Sequence, residues 1–416
     1  MSKIKDPSLA PPGRKKIEWA ESRMPVLMKL RALYSKKKTL SGFRISGCLH
    51  VTKETAVLVE TFEAAGAEVA WSGCNPLSTQ DDVSAALDAN GVEIFAWRGL
   101  SPKEYYRCIE ETLKIKPQLT LDDGADLIFT VHKKHTEYLK GLQGGTEETT
   151  TGVHRIRAMA NDAKLKYPII AVNDAETKSD FDNVYGTGQS AIDGVIRATN
   201  VLFSGKSVVI SGYGHCGKGL SSRARGLGSN VIVTEVDPIQ ALRARMEGYS
   251  VMTMDKAAKV GDIFITATGC KDVITTDHFA EMKDGAILAN AGHFNVEYSI
   301  SDLEALAKKK REIRPDNVEY TLPNGKKLYA LAEGRLVNLA AAEGHPSEVM
   351  DMSFANQFLS ILKLAKEGKN LKPDVYEIPR TQDEEVARLK LESMGMEIDS
   401  LSKEQKEYLS GWESGT

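Results

Sequence analysis

The stretch that decides the fold is SVVISGYGHCG, residues 207–217. It consists of a short apolar run that leads directly into a glycine-rich turn and then into a predicted helix. In this G-x-G-x-x-G spacing, Gly212 permits the tight turn, Gly214 lets the backbone approach a pyrophosphate, and Gly217 allows close helix–strand contact. The unpaired N–H groups at the start of such a helix bind phosphate. The stretch therefore predicts a dinucleotide-binding α/β domain.

An acidic residue after the next predicted strand, NVIVT at 230–234, indicates which dinucleotide binds. Glu235 follows the first glycines by about 20 residues, where a carboxylate accepts hydrogen bonds from ribose hydroxyls and repels a 2′-phosphate. We therefore predict NAD rather than NADP. A glycine turn that merely joins a strand to a helix is the alternative, and the combination of strand, helix, second strand and acid argues against it.

Short β-branched runs alternate with helix-length segments on both sides of this stretch, which is typical of parallel α/β sheets. The runs of the first half are FRISGCLHV, EVAWSG, VEIFAWR, QLTLDDGAD and YPIIAVNDA, and those of the second half are SVVISG, NVIVTEVDP, SVMTMD, DIFITATGC and GAILANAGHF. A β-hairpin is predicted next, about the turn Pro323-Asn324-Gly325. The pattern predicts two doubly wound, Rossmann-like parallel sheets with a cleft between them.

The predicted domain organisation follows from this pattern. Residues 1–185 form a substrate-binding domain that residues 346–390 complete, and residues 186–345 form the NAD-binding domain. Two chain crossings between the domains would allow hinge motion around the cleft. Residues 391–416 form a C-terminal tail for which we expect oligomer contacts.

The composition excludes several classes of function. A net charge of -3 and a pI near 6.3 give no reason to expect nucleic acid or an anionic membrane as partner. No apolar run approaches the ~20 residues that span a bilayer. The five cysteines lack metal or redox spacing, and His132 and His135 lack a third ligand, so we predict free thiols, no metal and a cytoplasmic location. The basic run Lys308–Arg311 is interpreted as a solvated helix end.

Polar residues follow the predicted strands, at the edge where parallel α/β sheets bind ligands. His50 follows FRISGCL, the pair Asp122–Asp123 follows LTL, Asn173 follows IIAV, and His293 ends the AILANAG run. Each also has a purely structural interpretation. The aspartate pair, for example, could cap a helix.

Two further features have ordinary alternatives. Lys178 and Asp182 stand four residues apart and could form a surface ion pair on a helix. His345, in Gly344-His345-Pro346, could simply precede a helix, since proline favours a first turn. Taken singly, none of these residues decides the function.

Nine motifs resemble, in order and spacing, those of the S-adenosylhomocysteine hydrolases, from about residue 40 to residue 360. They are GCLHVTKETAVL, CNPLSTQDD, LDDGAD, EETTTGVHR, VNDAETKSDFDNVYG, SGYGHCGKG, TEVDPI, NAGHF and LAEGRLVNLAAAEGHPS. The short length of the chain resembles archaeal or thermophilic members of that family.

The resemblance implies an enzyme of one-carbon metabolism and the methyl cycle. Such an enzyme reversibly hydrolyses S-adenosyl-L-homocysteine to adenosine and L-homocysteine. NAD oxidises the ribose 3′-hydroxyl, removal of the 4′ proton expels homocysteine, water adds, and the hydride returns. The resemblance thus implies one tightly bound, recycled NAD per subunit, a small nucleoside thioether substrate and a homotetramer.

The resemblance also assigns residues. The implied catalytic set is Asp123 as acid–base, Lys178 near the 3′-hydroxyl, Asp182 orienting the ribose, His50 and His293 flanking the 5′ position, and Asn173. The implied substrate contacts are Thr52, Glu54, Thr55, Gln80, Glu148, Lys178, Asp182, Glu343 and His345. The implied cofactor contacts are Thr149, Thr150, Thr151, Asn183, Gly212, Gly214, His215, Cys216, Gly217, Glu235, Gln240, Thr268, Gly292, His293, Asn338 and His345.

Three positions depart from the best-known animal members of the family. Thr187 replaces a cysteine near the nicotinamide, and Glu343 replaces a methionine close to the purine. A carboxylate there could accept from an amino group or pair with the ring N–H of hypoxanthine, so S-inosyl-L-homocysteine is an alternative substrate. The C-terminal EYLSGWESGT lacks a Lys/Tyr-bearing extension, from which we expect weaker retention of NAD.

Two other classes of function compete with the hydrolase. A net NAD-dependent dehydrogenase would fit the fold but not His50, Asp123 and Lys178 together. A non-catalytic regulatory paralogue would carry a long serine-rich N-terminal extension, and the sequence shows none.

Overall fold

The computed structural model of the protein describes residues 2–412. In this part of the chain fifteen strands form two sheets. The strands are β1 (Arg44–Cys48), β2 (Glu68–Ser72), β3 (Glu93–Phe95), β4 (Leu119–Asp122), β5 (Gly144–Glu147), β6 (Ile169–Ala171), β7 (Ser207–Ser211), β8 (Asn230–Thr234), β9 (Ser250–Val251), β10 (Ile263–Thr266), β11 (Ala286–Asn290), β12 (Lys309–Arg314), β13 (Asn317–Thr321), β14 (Lys327–Leu331) and β15 (Val375–Glu377).

Helices cover both faces of these sheets, as parallel strands require. They are α1 (Ala10–Arg23), α2 (Pro25–Lys37), α3 (Lys53–Ala64), α4 (Asp81–Ala89), α5 (Pro102–Thr112), α6 (Asp126–Lys134), α7 (Thr150–Asn161), α8 (Glu176–Lys178), α9 (Thr187–Thr199), α10 (His215–Gly226), α11 (Pro238–Met246), α12 (Met254–Val260), α13 (Thr276–Glu281), α14 (Ile300–Leu306), α15 (Val337–Ala340), α16 (Ser347–Glu367), α17 (Arg380–Ser393) and α18 (Lys403–Ser410). Between α8 and α9, Ser179–Gly186 form a π-helix, a rare form that is frequent at functional sites.

The first sheet has the strand order β15-β6-β5-β4-β1-β2-β3, and all its pairings are parallel. The chain runs outward from β1 in one direction and from β4 in the other, so the switch point lies between β1 and β4. Cys48 at the end of β1 pairs with Asp122 at the end of β4. The segments that follow both strands therefore leave the sheet side by side, where ligands bind in such folds.

The second sheet has the strand order β12-β13-β14-β11-β10-β7-β8-β9. Six of these strands, in the order β9-β8-β7-β10-β11-β14, are parallel and follow the dinucleotide-fold order. The switch point lies between β7 and β10. Strands β13 and β14 are antiparallel, as the hairpin prediction requires. Both the predicted fold class and the predicted hairpin are confirmed.

The chain crosses between the two sheets twice. Helix α9 packs in the core of the second sheet through Ala191, Ile192 and Val195, directly after the π-helix. Helix α16 packs in the core of the first sheet, with α2 and α3, although it follows the second sheet in sequence. The domain boundaries drawn from the sequence stay a prediction.

The interpretation of Lys308–Arg311 as a helix end is wrong. Residues Lys309–Arg314 form β12, an exposed edge strand that pairs antiparallel with β13. Its side chains find acidic partners, since Lys310 pairs with Glu304 at 2.6 Å. A row of cations at a sheet edge also opposes pairing with another chain, which explains its composition.

Within residues 2–412, no helix combines the length and apolar character needed to cross a membrane.

Candidate active site

A cavity of about 120 Å³ lies between the two sheets. Residues that directly follow β1, β4, β5 and β11 line it, together with the π-helix and the start of α16. Its lining consists of Leu49, His50, Thr52, Glu54, Thr55, Asp123, Glu148, Thr149, Lys178, Asp182, Asn183, Thr187, Cys216, Ala291, His293, Leu336, Asn338, Leu339, His345, Met350 and Phe354.

Asp123 lies at the centre of a group of proton-transfer side chains. Its Oδ2 is 3.3 Å from His50 Nε2, and its Oδ1 is 3.6 Å from His293 Nδ1. Cys74 Sγ donates to the same Oδ2 at 3.3 Å. Burial lowers the pKa of His50 to about 4, although the Asp123 charge opposes the change. His50 is therefore a neutral imidazole at pH 7, able to accept a proton.

The neighbouring Asp122 has a structural role. Its Oδ1 accepts from the Asp123 N–H at 2.9 Å, and its Oδ2 accepts from the Ile128 N–H at 2.8 Å. The first contact fixes the turn after β4, and the second supplies an acceptor to a backbone N–H in the first turn of α6. The structural interpretation of the pair therefore applies to Asp122, which bonds the start of a helix. The functional interpretation applies to Asp123, which lines the cavity.

Lys178 and Asp182 form a buried ion pair on one side of the cavity. Lys178 Nζ lies 3.3 Å from Asp182 Oδ2 and donates to Asn183 Oδ1 at 2.7 Å. Burial opposes the ammonium charge, but Asp182 and Glu148 outweigh it and raise the pKa of Lys178. The pKa of Asp182 is lowered because Lys178 and His345 outweigh its own burial. The pair is therefore fully charged at neutral pH, unlike a solvated surface pair.

Glu148 differs from these ions because it is held neutral. Burial raises its pKa to about 8, although Lys178 Nζ lies 3.8 Å from its Oε1. Gln357 on α16 donates to Oε2, while Oε1 is buried without a hydrogen-bond partner among the described residues. A neutral carboxyl with a free atom beside the cavity suits a polar contact to a ligand.

His345 connects the second chain crossing to the π-helix. Its Nδ1 is hydrogen-bonded to Asp182, and its Nε2 lies 3.3 Å from Thr187 Oγ1. Cys216 at the glycine turn also contacts Thr187, at 3.6 Å, and burial raises the pKa of its thiol. Thr187 thus contacts both His345 and the glycine turn.

Another acidic side chain, Glu54, lines the far end of the cavity. Glu54, on the first turn of α3, is 1% exposed and accepts from Ser347 Oγ at 2.6 Å. By contrast, Glu343 is not among the lining residues, and its carboxylate pairs with Lys53 Nζ and Arg197 NH1, each at 3.3 Å. Lys53 Nζ also lies 3.2 Å from Glu54 Oε1. Gln80 Nε2 donates to the Glu343 carbonyl at 3.3 Å, so this residue also lies outside the lining.

The glycine turn has the geometry of a phosphate cradle. Gly212 adopts a φ of +91°, and a side chain on Gly217 would strike the Gly212 carbonyl. A Cβ on Gly214 would meet no atom within 4 Å, so open space lies over the start of α10. Glu235 at the end of β8 accepts from the Tyr213 N–H at 2.6 Å, which brings its carboxylate to the turn.

One buried atom indicates where the cofactor ring fits. Asn338 lines the cavity; its Nδ2 donates to Ser190 Oγ at 3.2 Å, whereas its Oδ1 is buried without a partner in residues 2–412. Such an orphan acceptor suits the amide N–H of a nicotinamide. With the open cradle at Gly214, the residues present fit NAD.

The structure brings most predicted residues together. Those that line the cavity are His50, Thr52, Glu54, Thr55, Asp123, Glu148, Thr149, Lys178, Asp182, Asn183, Cys216, His293, Asn338 and His345. The predicted residues outside its lining are Gln80, Thr150, Thr151, Asn173, Gly212, Gly214, His215, Gly217, Glu235, Gln240, Thr268, Gly292 and Glu343. Asn173 lies just behind it, where its Oδ1 accepts from Asn183 Nδ2 at 3.1 Å. The roles assigned to all of them stay predictions.

Some residues at the site were missed by the sequence analysis. Ser353 and Gln357, on successive turns of α16, bond Asp182 and Glu148 respectively. Cys74 was missed as well, and its Sγ, His50 and Asp123 offer ligand atoms within 4.8 Å of one another. This donor set could hold a metal ion, and the absence of a metal stays a prediction. Nothing local in the sequence marks Ser353 or Gln357, whereas Cys74 begins the motif CNPLSTQDD.

Comparison with known proteins agrees with the geometry. Residues 1–138 match the family model of S-adenosyl-L-homocysteine hydrolase, and residues 183–344 match the model of its NAD binding domain. The chain is 59% identical to an adenosylhomocysteinase of Saccharolobus solfataricus, over 100% of this chain and 99% of that one. It is 58% identical to an adenosylhomocysteinase of Aquifex aeolicus, over 99% of each chain. It is 56% identical to an S-inosyl-L-homocysteine hydrolase of Methanopyrus kandleri, over 99% and 98% respectively.

Two Rossmann-like sheets, a glycine cradle that fits NAD, and a cavity of buried ionisable groups thus occur in a chain that matches these models over most of its length. The chain belongs to the S-adenosyl-L-homocysteine hydrolase family.

Proposed function

We propose that this chain catalyses the reversible hydrolysis of S-adenosyl-L-homocysteine to adenosine and L-homocysteine. The observation that carries the proposal is the placement of two separate groups in one cavity, the Lys178–Asp182 pair and the Asp123–His50–His293 cluster. A ribose that lay between them would have one group at its 3′ edge and the other at its 4′ and 5′ edge. A simple dehydrogenase needs only the first group.

The first group acts on the 3′-hydroxyl. NAD, when bound, supplies the reversible removal of a hydride from the carbon that bears this hydroxyl. Lys178 and Asp182 orient the ribose hydroxyls through charge-assisted hydrogen bonds. Glu148, held neutral by burial, adds a polar contact without a second negative charge.

The second group moves protons once the 3′ carbon is a ketone. Asp123 removes the 4′ proton, which the neighbouring ketone acidifies. His50 and His293 border Asp123 on two sides, so they transfer protons to the departing sulfur and from the incoming water. Because no redox change results overall, NAD is recycled in place.

The base at the far end of the cavity is adenine in this proposal. The ionisable side chain that lines that end is Glu54, whose carboxylate can accept from an exocyclic amino group. A hypoxanthine would place its carbonyl oxygen at the same carboxylate. The S-inosyl compound remains the alternative because relatives that are 54–56% identical to this chain bear that name.

The test is incubation of the purified protein with S-adenosyl-L-homocysteine and, in parallel, with its inosyl analogue, followed by thiol assay of free homocysteine. We expect release from the adenosyl compound and little from the inosyl one. Faster release from the inosyl compound would reverse the base assignment. Release from neither, or stoichiometric NADH in solution, would refute the hydrolase.

The same proposal includes a homotetramer in the cytoplasm that acts on this small substrate and contacts neither nucleic acid nor membrane. The assembly is supported by the tail from residue 391, where α18 is exposed along its length and Tyr408, Leu409 and Trp412 are more than 60% exposed. Residues 413–416 of that tail lie outside the described residues. Light scattering of the chain with and without residues 391–416 tests the assembly, which truncation should weaken.

A further inference from the structure

A buried carboxyl that touches neither the cavity nor the glycine cradle connects the two halves of the site. Glu147 ends β5 and is 0% exposed. Its Oε1 accepts from the Gly124 N–H at 2.8 Å and from the Thr149 N–H at 3.0 Å. The first N–H belongs to the turn that carries Asp123. The second belongs to the turn that carries Glu148 and opens α7.

The Gly124 turn needs this anchor because it is tightly placed. Gly124 adopts a φ of +99°, and a Cβ there would lie 2.1 Å from His293 Nε2. The backbone of the turn therefore packs directly against the imidazole of His293. A small displacement of Gly124 would change the distances from Asp123 to both histidines at once.

The carboxyl is also enclosed on its remaining sides. Strand pairing places Glu147 beside Asp122, and a Cβ on Gly152 of α7 would lie 2.2 Å from the Glu147 carboxyl. Glu147 Oε2 is buried without a hydrogen-bond partner in the described chain. Burial, with the charges of Asp122 and Asp123, raises the pKa of Glu147 well above its usual value. Both hydrogen bonds that the described residues give this carboxyl are therefore accepted by one oxygen, Oε1.

We propose that Glu147 is a positioning residue, whose Oε1 holds the Asp123 turn and the Thr149 turn in fixed relation. The inference rests on the proposed function, since it assigns Asp123 the removal of the 4′ proton. Because one oxygen accepts both N–H groups, an amide oxygen should be able to replace it. Glu147→Gln keeps the carbonyl oxygen, whereas Glu147→Ala leaves two buried N–H groups without an acceptor.

The test compares Glu147→Ala and Glu147→Gln with Thr146→Val as matched control. Thr146 is the preceding residue of β5, is 0% exposed, and its hydroxyl has no partner in residues 2–412, so its removal should leave activity unchanged. Three kinds of measurement are made: steady-state kinetics of hydrolysis (KM and kcat), reduction of bound NAD by adenosine, and amide exchange of peptides over 122–128 and 147–152 in the cofactor-free protein.

In Glu147→Ala we expect kcat to fall about 100-fold with KM within about threefold, because a misplaced base slows chemistry more than binding. NAD reduction should fall far less than turnover, and both peptides should exchange faster. Glu147→Gln should give wild-type values in the kinetics, in NAD reduction and in amide exchange. Normal turnover of a folded Glu147→Ala, an equal loss in Glu147→Gln, or an equal loss in Thr146→Val would each overturn the proposal. Should the wild type hydrolyse neither thioether, the proposed function fails by itself, and the exchange rates still decide whether Glu147 holds both turns.

Discussion

Lys178 Nζ and Asp182 Oδ2 lie 3.3 Å apart, four residues apart in sequence, and both side chains are almost completely buried. The π-helical backbone over Ser179–Gly186 places them on the same side of the segment. Ser353 and His345 bond the remaining lone pairs of the Asp182 carboxylate. Two charges can be buried in this way because each is paired with the other and the carboxylate is also hydrogen-bonded. The pair is thus a fixed dipole beside the cavity.

Asp182→Asn should destabilise the fold and stop 3′-oxidation. It leaves a buried ammonium without its main partner, and loss of one member of such a pair costs about 3–5 kcal/mol. Urea unfolding measures the stability, and absorbance of reduced cofactor after adenosine is added measures the oxidation. The control is Asp193→Asn, which breaks the exposed pair with Arg197 at the same i, i+4 spacing. That change should cost at most about 1 kcal/mol. Equal effects of the two changes would refute the distinction.

Asp123→Asn should separate the two halves of the reaction. The variant keeps the side-chain volume and the Lys178–Asp182 pair, so adenosine should still reduce bound NAD. Loss of the base should lower turnover about 1,000-fold, within the range expected for a general base. Exchange of the 4′ proton with deuterated solvent, followed by mass spectrometry, measures its removal directly. Normal exchange in this variant would show that another group removes the proton.

Much of the site could be predicted because strand-end residues of parallel sheets converge. His50 and Asp123 follow β1 and β4, which are neighbours at the switch point, and both line one cavity. That logic requires only recognition of the strands. It missed β5, whose sequence GGTE has no apolar side chain to signal a strand. Its buried position comes from pairing with β4 and β6 on either side.

The missed residues depend on tertiary packing. Helix α16 follows the second sheet but packs on the first, and its polar Ser353 and Gln357 resemble any buried serine or glutamine until the contact partner is known. The direction of the Glu343 side chain was equally hidden. The family resemblance predicts that Glu343 lies close to the purine, whereas its carboxylate pairs with Lys53 and Arg197.

Arg98 should contribute to closure of the cleft. It follows β3 of the first sheet, and its NH2 lies 2.7 Å from Asp316 Oδ1, in the turn between β12 and β13 of the second. The pair is partly exposed, so its loss should cost about 1 kcal/mol of the closed state. Arg98→Ala should raise KM about fivefold with the same unfolding midpoint. Lys16→Ala, which breaks a 2.6 Å pair with Asp82 inside the first domain, is the control. If both variants raised KM alike, cleft closure would not be the reason.

Base preference should depend on Glu54 and not on Glu343. Glu54→Gln puts an amide at the far end of the cavity and should shift the ratio of kcat/KM for the adenosyl and inosyl compounds toward the inosyl one, about tenfold or more. Glu343→Met should change that ratio by less than about threefold, because the native carboxylate does not line the cavity and pairs with Lys53 and Arg197. Competition between the two thioethers, with both nucleosides separated by chromatography, measures the ratio. A larger shift in Glu343→Met would reverse the assignment.

The buried carboxyl of Glu148 should make stability depend on pH in a defined direction. Its pKa is raised from an ordinary 4.5 to about 8 by burial, so the folded state holds a proton that the unfolded state loses earlier. The stabilising contribution of that proton is complete below about pH 4.5 and is lost as pH rises through about 8. Glu148→Gln removes the titrating carboxyl and keeps a side-chain oxygen that can accept the hydrogen bond from Gln357 Nε2. Relative to wild type, the variant should therefore gain free energy of unfolding between pH 5 and pH 9. Urea unfolding at both values measures this, with Glu281→Gln, at a 57% exposed side chain, as control. A difference between variant and wild type that stays constant from pH 5 to pH 9 would mean that Glu148 is already ionised in the folded protein.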